Sequence, residues 1–144
     1  MPRIKIDLPE KFFNISINIP VRITDINYGD HVGNDSLVAI IHEARMQFLQ
    51  HYGFTELNIE GIGLIMSDII VEFKNESFYK DIIDIKMGRG DISKVSFELF
   101  YRLITIRNNE EIIIANAKTT MVCYDYKLKK VVALPEKLKD ILIA

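Results

Sequence analysis

Polar and apolar positions change their period twice along the chain. Residues 12–26, FFNISINIPVRITDI, alternate and are rich in β-branched side chains, which predicts a strand. Pro20 interrupts its hydrogen-bonding ladder and implies an edge position or a bulge. From Ser36 to Tyr52, SLVAIIHEARMQFLQHY, the period becomes helical: Leu37, Ile40, Ile41, Ala44 and Phe48 fall at i, i+3, i+4 spacing. Val38 and Ala39 widen that stripe until the first two turns are apolar nearly all round, so other structure is expected to wrap the helix. Gly53 is its stop signal.

Beyond Gly61 and Gly63 the two-residue period returns in LIMSDIIVEFKN, DIIDIKMG, KVSFELFYRLITI and EIIIANAKTTMVCYDY, which read as four strands. Val95, Phe97, Leu99, Tyr101 and Leu103 share one face, opposite Ser96, Glu98 and Arg102, as in a sheet buried on one side. The segment RNNE, Arg107 to Glu110, suits a tight hairpin turn, and Pro135 opens a short amphipathic tail. The economical packing is an α+β arrangement, a curved antiparallel sheet wrapped around one long central helix. Unpaired edges on such a sheet favour pairing across a two-fold axis, so a homo-oligomer is expected.

Composition narrows the function. The chain has 144 residues, 49% apolar and 26% charged, with no linker-like tract or repeat, which suits a single domain over residues 1–144. A net charge of −2 gives no basic stripe for nucleic acid. There is no signal-like N-terminus and no apolar run of membrane-spanning length, so the expected location is the cytoplasm, with no membrane partner. The one cysteine, Cys123, lies in a strand-like setting and reads as a buried, inert thiol. Three histidines, His31, His42 and His51, lack metal-ligand spacing. Arg89 to Asp91, RGD, reads as a turn between strands.

The candidate chemistry concentrates in DINYGDHVGND, residues 25–35, at the mouth of the apolar helix. Free N–H groups and partial positive charge at a helix N-terminus can polarise a carbonyl or hold an anion. Asn34 and Asp35 are the natural N-caps, Gly33 lets backbone approach a ligand, and His31 can donate a hydrogen bond or relay a proton. Capping accounts for Asn34, Asp35 and one glycine, but not for Asp25, Asn27, Asp30 and His31 together. Within the helix, His42, Glu43 and Arg45 read as an exposed seam or an ion pair. Alternatively, Glu43 on an otherwise buried helix would have a raised pKa and serve as a general base.

Arg22, Asp25, Asn27, Asp30-His31-Val32, Asn34 and Glu43-Ala44-Arg45 resemble, without gaps, the opening of the hotdog-fold acyl-CoA thioesterases of the 4-hydroxybenzoyl-CoA thioesterase-like group. VEFKNESFYKD and VALPEKL extend the likeness over most of the chain. The resemblance implies a helix wrapped by a curved antiparallel sheet, dimers or tetramers with sites at subunit interfaces, and hydrolysis of acyl-CoA or acyl carrier protein thioesters. It implies no metal or redox cofactor. In that family a carboxylate stands where this chain has Asn27, and glycine where it has Asp30. An amide is neither a base nor a carboxylate nucleophile. Glu43 is the favoured replacement, with Asp30 and Asp25 behind it, while Asn27 and His31 orient water or substrate. Arg89 and Lys94, in GRGDISK, are the candidates for the CoA phosphates. The rival reading is a non-catalytic acyl-CoA-binding or assembly module that lost its carboxylate at Asn27.

Overall fold

The computed structural model describes residues 3–144. Its elements follow the order β1 (Asn18–Pro20), α1 (Asn34–His51), β2 (Gly63–Phe73), β3 (Ile82–Ile92), β4 (Ser96–Arg107), β5 (Glu110–Asp125), β6 (Lys130–Val131) and α2 (Glu136–Ile143). All neighbouring strands pair antiparallel, in the spatial order β1-β3-β4-β5-β2, with the short β6 added to β5. This is the α+β arrangement anticipated from the periodicities, a curled sheet laid over α1. Among the described residues no helix is long and apolar enough to cross a membrane.

The inward face of β4 is Phe97, Leu99, Tyr101 and Leu103, all buried, and it meets Leu37, Ile40, Ile41, Ala44 and Phe48 of α1 in one core. Phe48 is fully buried between Phe13 and Tyr52, with ring centroids 4.8 Å and 5.3 Å away. The expected complete wrapping of α1 is not observed. Ala39, His42 and Glu43 are exposed on its outer side, because the sheet curls around only one flank of the helix.

Several boundaries differ from expectation for identifiable reasons. The first strand is shorter than 12–26: regular pairing is confined to residues 18–20 at the sheet edge, where Pro20 is tolerated. Phe13 and Ile17 still hydrogen-bond to β3, and Ile23–Asp25 turns into a 3-10 helix. The RGD segment is not a turn; it lies in β3 at a bulge between Arg89 and Ile92, and the chain reverses later, at Ser93 to Val95. The hairpin in RNNE forms as expected, with Asn108 and Asn109 at φ 52° and 63° and Arg107 paired to Glu110. Gly53, at φ 82°, follows the end of α1 and donates to the Gln50 carbonyl.

A buried polar chain crosses the core beside α1. Arg45 Nη1 lies 3.4 Å from Tyr101 Oη, which lies 2.7 Å from Thr119 Oγ1. Arg45 Nε is 3.6 Å from Glu56 Oε1, and His42 Nε2 approaches the same oxygen at 2.6 Å from the surface. Arg45 is therefore an internal tie between helix, following loop and sheet. Burial pushes the Tyr101 hydroxyl above its ordinary pKa despite the neighbouring guanidinium.

Candidate active site

The loop leading into α1 is built by its own hydrogen bonds. Asp25 is buried, and its Oδ2 accepts the Arg22 N–H at 2.8 Å while Oδ1 lies 3.6 Å from the Arg22 guanidinium. Its carbonyl accepts from Gly33 at 3.1 Å. Asp25 is thus occupied in holding the turn, which removes it from the substrate-contacting candidates. Ile26 bridges Val32, and the Asn27 N–H donates to the His31 carbonyl at 2.9 Å, so residues 26–32 close into a small loop. Asp30 is exposed near its tip at φ 65°, a conformation that L side chains resist.

Within this loop the Asn27 side-chain oxygen accepts the Gly29 N–H at 2.8 Å, and its NH2 group makes no hydrogen bond among the described residues. His31 Nδ1 lies 3.0 Å from the Val32 carbonyl oxygen. A carbonyl only accepts, so in neutral His31 the proton sits on Nδ1 and Nε2 remains an acceptor. A methyl group built on Gly29 would meet Asn27 Oδ1 and His31 Nε2 at 3.3 Å each, so the two side chains flank one point.

The helix start supplies the complementary donors. Gly33 is the N-cap, with no side-chain capping bond, so neither Asn34 nor Asp35 plays the expected capping role; both lie inside the first turn. The Gly33 N–H is taken by Asp25 and the Leu37 N–H by the Gly33 carbonyl, whereas the N–H groups of Asn34, Asp35 and Ser36 make no hydrogen bond among the described residues. Asp35 Oδ1 and the Asn27 side chain crowd the same face of Gly33: a methyl added there would meet them at 2.6 Å and, for Asn27 Cβ, 3.5 Å.

A cleft of about 240 Å³ opens beside this turn, between His31, Asn34 and Leu37 on one side and Phe73, Glu76 and Ser77 on the other. Its far wall is fixed by residues without an evident sequence signal. Asp81 accepts from Arg107 at 2.6 Å, from the Ser77 hydroxyl at 2.9 Å and from the Phe78 N–H at 2.8 Å. The Arg107 guanidinium also stacks on the Phe78 ring, 4.8 Å from its centroid. The Ser77 carbonyl then accepts the Val32 N–H at 2.8 Å, locking the two walls together.

The structure thus brings together Asn27, His31, Gly33, Asn34 and Asp35. It places three other candidates elsewhere. Glu43 is exposed, lies about 13 Å further along α1, and accepts from Gln47 at 3.0 Å in a groove against β1. The burial that the general-base reading required is absent, because that flank of the helix is left open. Arg89 lies within β3, its Nη1 donating to the Gly90 carbonyl at 3.0 Å, and lines a separate cavity with Lys11, Tyr52 and the end of α2. Lys94 is exposed in the β3–β4 turn. Cys123 is buried and free, and burial pushes its thiol up to about 11, which suits an inert packing group.

Comparison with known proteins bears on what such a loop and cleft are for. Residues 21–142 match the thioesterase-like superfamily. The chain is 26% identical over 123 residues to the acyl-CoA thioester hydrolase YbgC of Escherichia coli, covering 83% of this chain and 90% of that protein. Among solved structures it is similar to Slr0204, a 1,4-dihydroxy-2-naphthoyl-CoA thioesterase from Synechocystis, with TM-score 0.78 and 18% identity over 89% of this chain and 94% of the other. It is also similar to the gentisyl-coenzyme A thioesterase BH1999, with TM-score 0.76 and 20% identity over 89% of this chain and 99% of the other. The matched residues run from Val21, just after β1, into α2, and they show that this chain belongs to the thioesterase-like superfamily.

Proposed function

We propose that the protein hydrolyses acyl or aryl thioesters of coenzyme A to the free acid and CoA, with the thioester carbonyl held at the start of α1. The observation that carries this reading is the set of three consecutive N–H groups, Asn34 to Ser36, without acceptors among the described residues, at the start of a helix whose first residue, Asn34, lines the cleft together with His31. Such donors, reinforced by roughly half a unit of positive charge at the helix terminus, favour the oxyanion that forms as the carbonyl is attacked. Removing one donor of this kind typically costs about 10²–10³ in kcat. The Asn27 NH2 group can donate to the substrate carbonyl or to water, and His31 Nε2 can accept from water. CoA and acyl carrier protein share the pantetheine thioester, and either can present it here.

We further propose a homodimer or homotetramer. β2 is an eleven-residue edge strand with Ile65 and Met66 exposed, and Phe73 at its end lines the cleft, so a second copy paired along β2 would approach the site.

The test is release of free thiol from a panel of CoA thioesters, from acetyl to palmitoyl and from 4-hydroxybenzoyl to gentisyl and dihydroxynaphthoyl. Turnover of at least one substrate above the buffer rate is expected; none on any of them overturns the reading. Asn27 motivates the second reading, an acyl-CoA-binding module without hydrolysis. Saturable binding of acyl-CoA with no thiol release, together with turnover gained in Asn27→Asp, favours that module.

A further inference from the structure

Resting on the hydrolase reading above, we infer that Asp35 supplies the carboxylate that Asn27 cannot, acting as the general base on the hydrolytic water. The first ground is position. Asp35 Oδ1 and the Asn27 side chain lie against the same face of Gly33: a carbon placed there would be 2.6 Å from Asp35 Oδ1, 3.5 Å from Asn27 Cβ and 3.8 Å from Asn27 Nδ2. The carboxylate therefore stands beside the residue at which the family's pattern has one. It also belongs to the same helical turn as the free Asn34 N–H, so base and oxyanion donor are held by one rigid element.

The second ground is the reason for a glycine at position 33. Its φ of −70° and ψ of 156° are open to any residue, so the backbone does not require glycine. Space does, because any side chain there would displace the Asp35 carboxylate. The third ground is availability: Asp35 is exposed, caps nothing, and its carboxylate makes no hydrogen bond or ion pair among the described residues. The other acids are disposed differently. Asp25 is buried in its turn, Asp30 is at the strained tip, Glu43 is remote and bonded to Gln47, and Glu76 lines the cleft across from His31 and Asn34, the neighbour of Asp35 in the chain.

In the step itself Asp35 removes one proton from water, and the water oxygen forms a bond to the thioester carbonyl carbon. The carbonyl electron pair moves onto oxygen at the Asn34 to Ser36 N–H groups. On collapse the C–S bond breaks, its electron pair leaves on sulfur, and the proton held by Asp35 passes to that thiolate. The carboxylic acid product ionises to solvent. One water is consumed, and the thiol and the acid are the only products.

The experiment compares wild type, Asp35→Asn, Glu43→Gln, Glu76→Gln, Gly33→Ala and the double variant Asn27→Asp with Asp35→Asn, on the best thioester of the panel. Circular dichroism confirms folding of each. Asp35→Asn is expected to lower kcat about 100-fold or more, leave KM within about threefold, and remove the acid limb of the pH–kcat profile. Gly33→Ala is expected to keep the wild-type melting temperature and lower kcat, because the atom it displaces is the end of a flexible side chain. Restoring a carboxylate in the double variant is expected to recover at least about tenfold. A loss below tenfold in Asp35→Asn overturns the assignment, as does the larger loss falling on Glu43→Gln or Glu76→Gln. A wild type inactive on every thioester overturns the hydrolase reading itself, an outcome distinct from an active enzyme indifferent to Asp35.

Discussion

Asp30 occupies a left-handed backbone conformation, φ 65°, between Asn27 and His31. Asp is among the few L-residues that tolerate it, because a short polar side chain finds local partners. Glycine, which the related pattern carries, has no Cβ to clash. Asp30→Gly is therefore expected to be at least as stable as the wild type, and Asp30→Ala less stable by about 1 kcal/mol. Urea denaturation checks the order, and an alanine variant matching the glycine one would remove the strain argument. Asn27 makes the complementary point, since its side-chain oxygen is engaged by the Gly29 N–H and its NH2 group is left as the donor.

At the scale of elements, the cleft depends on how the β2–β3 connection is pinned to the loop before α1. The pin is Asp81. Burial works against its charge, but the Arg107 guanidinium, the Phe78 N–H and the Ser77 hydroxyl outweigh it and hold its pKa below the usual carboxylate range. A carboxyl more acidic folded than unfolded stabilises the protein fully above its unfolded pKa of about 3.9, and that contribution is lost as pH falls through the lower folded value. Asp81→Asn is expected to cost about 1–3 kcal/mol at pH 7, with the gap to wild type closing below about pH 4. It should also loosen the cleft, because the Ser77 carbonyl that receives the Val32 N–H belongs to the same connection. Urea midpoints at pH 7 and pH 3 decide it; equal stability of the two proteins at pH 7 would show the pin to be idle.

At the scale of the whole molecule the two sheet edges are treated differently. The β1 edge is three residues long and ends in Pro20, a poor template for pairing, whereas β2 presents eleven residues with Ile65 and Met66 outward. Sedimentation equilibrium at micromolar concentration is expected to give a dimer or tetramer, and Ile65→Lys to shift it towards the protomer with loss of turnover. A wild-type protomer mass would refute pairing along β2.

The helix α1, the four long strands, the hairpin at Asn108-Asn109 and the stop at Gly53 were determined by local rules: periodicity, turn chemistry and backbone freedom act between near neighbours in the chain. The grouping of Asn27, His31, Gly33, Asn34 and Asp35 in one loop and helix start was legible for the same reason, because they are close in sequence. The placing of the acids did not follow. Glu43 shares the helix with Asp35, and only the way the sheet curls leaves Glu43 out in a groove while Asp35 and Asn27 both lie against Gly33. The pairing of Asp81 with Arg107 and of Arg45 with Glu56, and the placing of Arg89 in a strand bulge, belong to the tertiary structure as well. Each depends on contacts between segments whose separation along the chain carries no periodic signal, so packing had to decide them.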